Sequence, residues 1–63
     1  MINEYDVDRM KAILKANNGR HSDTVLKCVM RDFSCGPTRA GHLLHEMVRL
    51  GEARLDGLKV YGR

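Results

Sequence analysis

The sequence GPTRAGHLLHEMVRLGEARLDGLKVYGR, which runs from Gly36 to Arg63, decides the fold that we expect for this chain. In its first half, apolar residues recur every three or four positions, which predicts an amphipathic helix at about residues 37–50. Gly51 is suited to end that helix. In the second half the pattern alternates around Asp56-Gly57, a dipeptide typical of two-residue hairpin turns. The stretch therefore predicts a helix followed by a basic β-hairpin at about residues 52–61.

A two-residue loop at Asp56-Gly57 would set the register of the hairpin through a type I′ turn. The cross-strand pairs expected in that register are Leu55 with Leu58, Arg54 with Lys59, and Ala53 with Val60. The apolar members would cover the helices, and Arg54 and Lys59 would share the outer face. Because like charges directly opposite each other are unfavourable, this pairing suggests that an anion binds there.

Two further amphipathic helices are predicted upstream, at about residues 3–16 and 22–33. Asn3 or Asp6 can cap the first and Ser22 is expected to cap the second, because short side-chain acceptors satisfy free N–H groups. The apolar residues expected in the core are Val7, Met10, Ile13, Leu14, Val25, Leu26, Val29, Met30, Phe33, Ala40, Leu43, Leu44, Met47 and Val48. The single phenylalanine is expected at the centre of this core.

The second and third predicted helices are separated by Ser34-Cys35-Gly36-Pro37. Gly36 can adopt a positive φ, and Pro37 suits the first turn of a new helix. A short break of this kind between amphipathic helices is typical of a helix-turn-helix. We therefore expect one domain over residues 1–63, mainly α-helical, with three helices and a small β-hairpin. No strand is expected between the first two helices, because Asn17–Arg20 leaves little room.

Composition indicates a small basic globular protein. The 63 residues include 11 Lys and Arg and 8 Asp and Glu, for a net charge of +3. Such an excess is common in nucleic-acid binders and also in proteins with other functions. No apolar run has the length of a signal-peptide core or a membrane span. We expect a complete cytoplasmic protein without a membrane partner, in which Cys28 and Cys35 stay reduced.

The order helix, helix, Gly-Pro break, helix, glycine and basic hairpin resembles the winged helix-turn-helix family of DNA-binding domains, from about Val7 to Arg63. The segment LLHEMVRLGEAR, Leu43–Arg54, is similar to the family's junction between helix and strand. LKVY, Leu58–Tyr61, resembles its returning wing strand. Two features depart from the family pattern, a very short wing and the missing strand between the first two helices.

The resemblance implies that the third helix enters the major groove of double-stranded DNA while the hairpin contacts the flanking backbone or the minor groove. The residues that it assigns to DNA are Thr38, Arg39, His42, His45, Arg49, Arg54 and Lys59. Arg39 can read guanine, and Thr38 with the helix N-terminus can bind phosphate. The expected function is a small transcriptional or replication regulator of a phage or mobile-element type. A homodimer on paired half-sites would bind more tightly, but the sequence indicates no dimer interface.

A second hypothesis assumes the same fold but a protein partner instead of DNA. Winged helices also serve as protein-interaction modules, since a fold does not fix a function. Such a module would bind a host regulator or a polymerase, and the acidic residues Glu4, Asp6 and Asp8 would be its contact surface. The polar side of the third helix would then be ordinary solvated surface. Salt dependence separates the hypotheses, because phosphate contacts release counterions.

Metal binding and catalysis have weaker support. Cys28, Cys35, His42 and His45 are zinc-ligand types, but their C-x6-C-x6-H-x2-H spacing does not match short zinc knuckles. Cys35 and His42 could be imagined as a nucleophile and a base, but no third orienting group or oxyanion loop is apparent. We expect no metal, no cofactor and no enzymatic activity.

Overall fold

The computed structural model describes residues 3–63 as three helices and three strands. The helices are α1 (Glu4–Ala16), α2 (Ser22–Phe33) and α3 (Pro37–Arg49), and the strands are β1 (Arg20–His21), β2 (Ala53–Asp56) and β3 (Lys59–Gly62). The strands form one antiparallel sheet in the order β1-β3-β2. This mainly helical arrangement is winged-helix-like and confirms the predicted fold class.

Side-chain caps fix where the first two helices begin. Asn3 caps α1, because its Oδ1 accepts a hydrogen bond from the N–H of Asp6 at 2.8 Å. The predicted cap of α2 is wrong: Ser22 is already helical, and His21 Nδ1 accepts from the N–H of Asp23 at 3.1 Å. His21 is also the last residue of β1, so α2 begins directly after the strand.

The break between α2 and α3 uses a different residue from the one predicted. Gly36 has a φ of −83° and is extended, whereas Ser34 adopts the left-handed conformation with a φ of 51°. That turn lets the N–H of Cys35 donate to the Met30 carbonyl at 3.0 Å, closing the end of α2. Gly36 instead occupies the N-cap of α3, with Pro37 in its first turn as expected.

β1 is a strand that we did not expect from the sequence. Arg20 pairs with Val60 and His21 pairs with Lys59. The chain turns at Gly19, which has a φ of 80°, and the N–H of Gly19 donates to the Val60 carbonyl at 2.7 Å. Since two residues are enough for this pairing, the short connection between α1 and α2 does not exclude it.

The hairpin register also differs from the prediction. The observed pairs are Ala53 with Gly62, Arg54 with Tyr61, Leu55 with Val60, and Asp56 with Lys59. The turn residues are therefore Gly57 and Leu58. Gly57 alone has a positive φ, 62°, as in a type II′ turn rather than type I′. β3 pairs on both sides, and the Leu58 carbonyl accepts from the N–H of Ser22 at 2.7 Å, so β1 and α2 help to set this register.

The core lies between the helices and the inner face of the sheet. Its buried members are Met10, Ile13, Leu14, Val25, Val29, Ala40, Leu43, Leu44, Met47, Ala53 and Val60. Phe33 is not central as predicted but half-buried at the rim, where the Arg9 guanidinium lies 4.2 Å from its ring centroid. Leu55 and Leu58 were expected to cover the helices, but their side chains are 51% and 66% exposed. Both leucines lie at the projecting end of the hairpin, and the shifted register places Leu58 in the turn itself.

Candidate functional site

α3 separates its side chains into a buried side and an exposed side. The buried residues are Ala40, Leu43, Leu44 and Met47. All five residues of α3 that were assigned to DNA are exposed, namely Thr38, Arg39, His42, His45 and Arg49. At about 100° per residue, all except Arg39 fall within roughly 60° of arc around the helix axis. The structure therefore brings four of the five together on one side of α3, and Arg39 lies beside them.

The N-terminus of α3 is open to solvent. Gly36 provides no side-chain cap, and the first turn contains no acidic residue. Gly36, Pro37 and Thr38 are all exposed. Free N–H groups and the partial positive charge of a helix N-terminus favour an anion, and the Thr38 hydroxyl can add a hydrogen bond.

Arg39 is held toward α1. Its Nη2 lies 3.9 Å from Oδ2 of Asp6, in an ion pair whose arginine side chain is 62% exposed. This contact directs the guanidinium away from the other exposed residues of α3. The Asp6 side chain is only 19% exposed, but the contact is long and the guanidinium faces solvent. Such a pair contributes on the order of 1 kcal/mol, so the arginine can exchange Asp6 for another acceptor.

Arg49, at the C-terminal end of α3, is paired with Glu46. Its Nε and Nη2 both donate to Glu46 Oε2, at 3.0 and 2.7 Å. The pKa of Glu46 is lowered, first by these hydrogen bonds, and the same bonds raise the pKa of Arg49. The carboxylate partly neutralises the charge to which the family resemblance assigned a DNA contact.

The outer face of the hairpin carries Arg54 and Lys59, as predicted, but the two residues are not opposite each other. Arg54 pairs with Tyr61, and its guanidinium carbon lies 4.7 Å from the centroid of the Tyr61 ring. Lys59 pairs with Asp56. Each cation thus has a favourable neighbour, and the predicted opposition of two like charges, from which an anion site was inferred, is wrong. Both residues remain exposed.

β1 adds one residue to this face that we did not assign to the site. His21 is exposed and pairs with Lys59, so both side chains lie on the same side of the sheet. Its Nδ1 is already engaged by the N–H of Asp23. The sequence signal that could have revealed it is Gly19, which permits a tight turn into a short strand.

A cleft lies between the C-terminal half of α1 and the end of β3. Its lining residues are Lys11, Leu14, Lys15, Asn18, Glu52, Gly62 and Arg63. Lys11 Nζ is 3.7 Å from Glu52 Oε2, so one of the cations that line the cleft already has a carboxylate partner. None of the lining residues belongs to α3 or to the predicted DNA-contacting set.

The zinc-ligand types of the sequence are not gathered into a site. Across residues 3–63, no three or more His, Cys, Asp or Glu side chains are grouped so as to hold a metal ion. Cys28 and Cys35 are free and half-buried, and the Cys28 thiol donates to Asn17 Oδ1 at 3.7 Å. In the same part of the chain, no helix combines the length and hydropathy required for a membrane span.

Comparison with known proteins assigns no family. No protein-family model, no curated protein and no solved structure matches the chain. The winged-helix-like architecture therefore rests on the order of its helices and strands and on the strand order β1-β3-β2.

Proposed function

We propose that this chain binds double-stranded DNA, with the exposed side of α3 in the major groove and the outer face of the hairpin against the sugar-phosphate backbone. The observation that carries the proposal is the one-sided polar surface of α3, a 13-residue helix with an uncapped N-terminus. A single α-helix fits the major groove of B-DNA, which is about 12 Å wide. In helix-turn-helix proteins the second helix of the motif occupies that position, and α3 follows α2 in the same way.

The residues of α3 suit different parts of such an interface. The N-terminus and the Thr38 hydroxyl suit a phosphate, because they offer hydrogen-bond donors and the first turn of α3 contains no acidic residue of its own. His42 and His45 lie one turn apart along the exposed side and can contact base edges. Arg39 can form two hydrogen bonds with guanine O6 and N7 after releasing Asp6.

The hairpin suits backbone contacts rather than base reading. The Arg54 guanidinium carbon lies over the Tyr61 ring, 4.7 Å from its centroid, and a guanidinium held by a ring face keeps its in-plane N–H groups available to an acceptor. Arg54 is thereby oriented for a phosphate at a small cost in side-chain entropy. Lys59 adds a second cation two residues from Tyr61 on the same face. Such contacts supply affinity that is independent of sequence.

A regulatory role follows from this proposal. A small domain that occupies the major groove can regulate transcription or replication by excluding or recruiting other proteins. The competing hypothesis, a protein-interaction module, is favoured by the N-terminal turn of α1. There Tyr5 is 79% exposed and lies between the exposed Asn3–Glu4 segment and the exposed Asp8. Asp6, in contrast, is already paired with Arg39.

Fluorescence anisotropy with labelled genomic duplexes tests the proposal. We expect binding at low salt. The logarithm of the binding constant should fall linearly with the logarithm of the salt concentration, because phosphate contacts release counterions. Arg54→Ala and Lys59→Ala should weaken binding to all duplexes about equally, each reducing the salt slope by about 1. Arg39→Ala should instead reduce discrimination between duplexes by about 1–3 kcal/mol.

Lys15→Ala is the matched control, because it removes one positive charge on α1, in the cleft away from α3. It should change affinity less than Arg54→Ala does. An equal loss would show that net charge alone is responsible. If no duplex is bound at low salt, the proposal fails, and capture of a protein partner in the absence of nucleic acid would support the competing hypothesis.

A further inference from the structure

β2 is an edge strand with unpaired backbone groups. In the sheet of residues 3–63, β3 lies between the other two strands, so one side of β2 is free. The Val60 carbonyl accepts from the N–H of Gly19 and therefore points toward β1, away from β2. Because Leu55 lies opposite Val60, these two form a non-hydrogen-bonded pair of the antiparallel ladder. The N–H and C=O of Leu55 consequently point to the free side of β2.

The side chains around these groups are also accessible. Leu55 is 51% exposed, and its neighbours Arg54 and Asp56 are exposed. Ala53, at the beginning of the strand, is buried against the helices. The free edge centred on Leu55 is therefore at the part of β2 that projects beyond the core, where a second strand can approach. Exposed edges of this kind are templates for pairing with another chain.

The sequence Arg54-Leu55-Asp56 is complementary to itself when two copies run antiparallel. A twofold axis through Leu55 makes the two Leu55 residues a hydrogen-bonded pair that exchanges two N–H···O bonds. The same axis places Arg54 of each copy opposite Asp56 of the other. Opposite charges in directly facing positions stabilise antiparallel strands, and here the favourable pair occurs twice.

Neighbouring registers lack this complementarity. A register with the twofold axis at residue 54 still places facing side chains on the same side of the sheet. It puts Arg54 opposite Arg54 of the second copy. Moving the axis to residue 56 places Asp56 opposite Asp56. A register shifted by one residue would place Leu55, whose N–H and C=O point outward, opposite Arg54 or Asp56 of the second copy. The backbone groups of those residues are already bonded to β3. Charge and hydrogen bonding thus select a single register.

We propose that this chain self-associates through β2, forming a twofold-symmetric dimer with one continuous six-stranded sheet. The outer face of that sheet would carry a row of Lys59 and Asp56 from one copy followed by Arg54 and Tyr61 from the other, so that opposite charges alternate across the interface. The two Leu55 side chains contact each other on the inner face. Because only a few residues pair, the interface is smaller than about 1,200 Å² and typical of transient association.

Sedimentation equilibrium on the full chain without nucleic acid, at low salt and up to about 1 mM, tests this dimer. The weight-average mass should rise with concentration toward twice the monomer mass. Arg54→Asp and Asp56→Arg should each raise the dissociation constant about tenfold or more, because each variant replaces two attractive pairs with two repulsive ones. The double variant Arg54→Asp/Asp56→Arg should restore association.

Backbone pairing is tested separately with Leu55→Pro. Proline removes the outward N–H and is tolerated at an edge position, so the hairpin should keep its fold by circular dichroism while the dimer is lost. Leu58→Ser is the matched control, because it removes an exposed leucine from the turn without altering the edge. It should leave the dissociation constant within about twofold.

Three results would overturn the proposal: a wild-type chain that stays monomeric throughout, a double charge reversal that does not restore association, or a Leu58→Ser variant as weakened as Leu55→Pro. The last would indicate non-specific apolar contact at the end of the hairpin. Since the assay contains no nucleic acid, its outcome is independent of DNA binding. The anisotropy titration and the sedimentation experiment can therefore fail separately.

Discussion

α3 and the β2–β3 hairpin are neighbours in the chain and both combine apolar with basic residues, but they bury their apolar residues differently. In α3, Leu43 and Met47 are 3% and 0% exposed. In the hairpin, Val60 is 1% exposed whereas Leu55 and Leu58 are mostly exposed. A helix brings its apolar residues to one side along its whole length, and the core covers that side. A hairpin that projects past the core leaves its distal apolar residues uncovered.

The two regions also hold their cations differently. In α3, Arg39 and Arg49 are paired with carboxylates of Asp6 and Glu46. In the hairpin, Arg54 stacks on an aromatic ring, which leaves its charge unneutralised by that contact. Side-chain substitutions in α3 should therefore affect folding as well as binding. Substitutions of the exposed side chains at the projecting end of the hairpin, apart from the turn glycine, should act mainly on association.

The largest effect is expected from truncating the buried side of α3. Met47→Ala removes a fully buried side chain from a small core and should lower the free energy of unfolding by about 2–5 kcal/mol. Leu58→Ala removes a side chain that is 66% exposed and should cost about 0.5 kcal/mol or less. Urea unfolding followed by circular dichroism measures both. Similar losses for the two variants would contradict the burial difference between the regions.

Replacing one glycine by alanine in each region should change the stability of the fold in opposite directions. Gly57 in the hairpin turn has a φ of 62°, so Gly57→Ala should destabilise the fold by about 1–2 kcal/mol. Gly41 lies within α3, and a Cβ there would meet nothing within 4 Å, so Gly41→Ala should stabilise the fold by about 0.5–1 kcal/mol. Thermal unfolding midpoints should move down and up, respectively. A midpoint that does not fall in Gly57→Ala would show that the turn does not require a positive φ, and one that falls in Gly41→Ala would show that α3 does not accommodate the added Cβ.

The smallest effect concerns the ion pair at the end of α3. Because the pKa of Glu46 is lowered in the folded state, its pair with Arg49 contributes stability above the unfolded carboxyl pKa of about 4.3. That contribution is lost as the pH falls through the lowered folded pKa. An NMR titration should find the Glu46 midpoint below the ordinary value, and Arg49→Ala should move it upward. An unchanged midpoint in Arg49→Ala would rule out the hydrogen bonds as the cause.

Local pattern predicted the helices well. The expected ranges 22–33 and 37–50 agree within one residue with α2 (Ser22–Phe33) and α3 (Pro37–Arg49). Apolar periodicity, a glycine stop and a proline in the first turn are properties of consecutive residues, so sequence alone can reveal them. Solvent exposure of the predicted DNA-contacting residues of α3 followed from the same periodicity.

Features that depend on distant residues were predicted poorly. The hairpin register was wrong because β3 pairs with β1 as well as β2, and β1 itself was missed. Phe33 was placed at the core centre, but the helices meet at smaller side chains and leave its ring at the rim, against Arg9. The partners of Arg39 and Arg54 likewise depend on side chains from other elements or from the opposite strand.

The sequence by itself determined the three helices, the break at Ser34–Pro37 and the polar side of α3, because each depends on short-range periodicity and turn chemistry. Only the tertiary structure decided the strand order β1-β3-β2, the shift of the turn from Asp56-Gly57 to Gly57-Leu58, and the free edge at Leu55. The physical reason is that a strand satisfies its backbone hydrogen bonds with distant residues. Its register, and therefore which side chains face outward, is a property of the whole sheet.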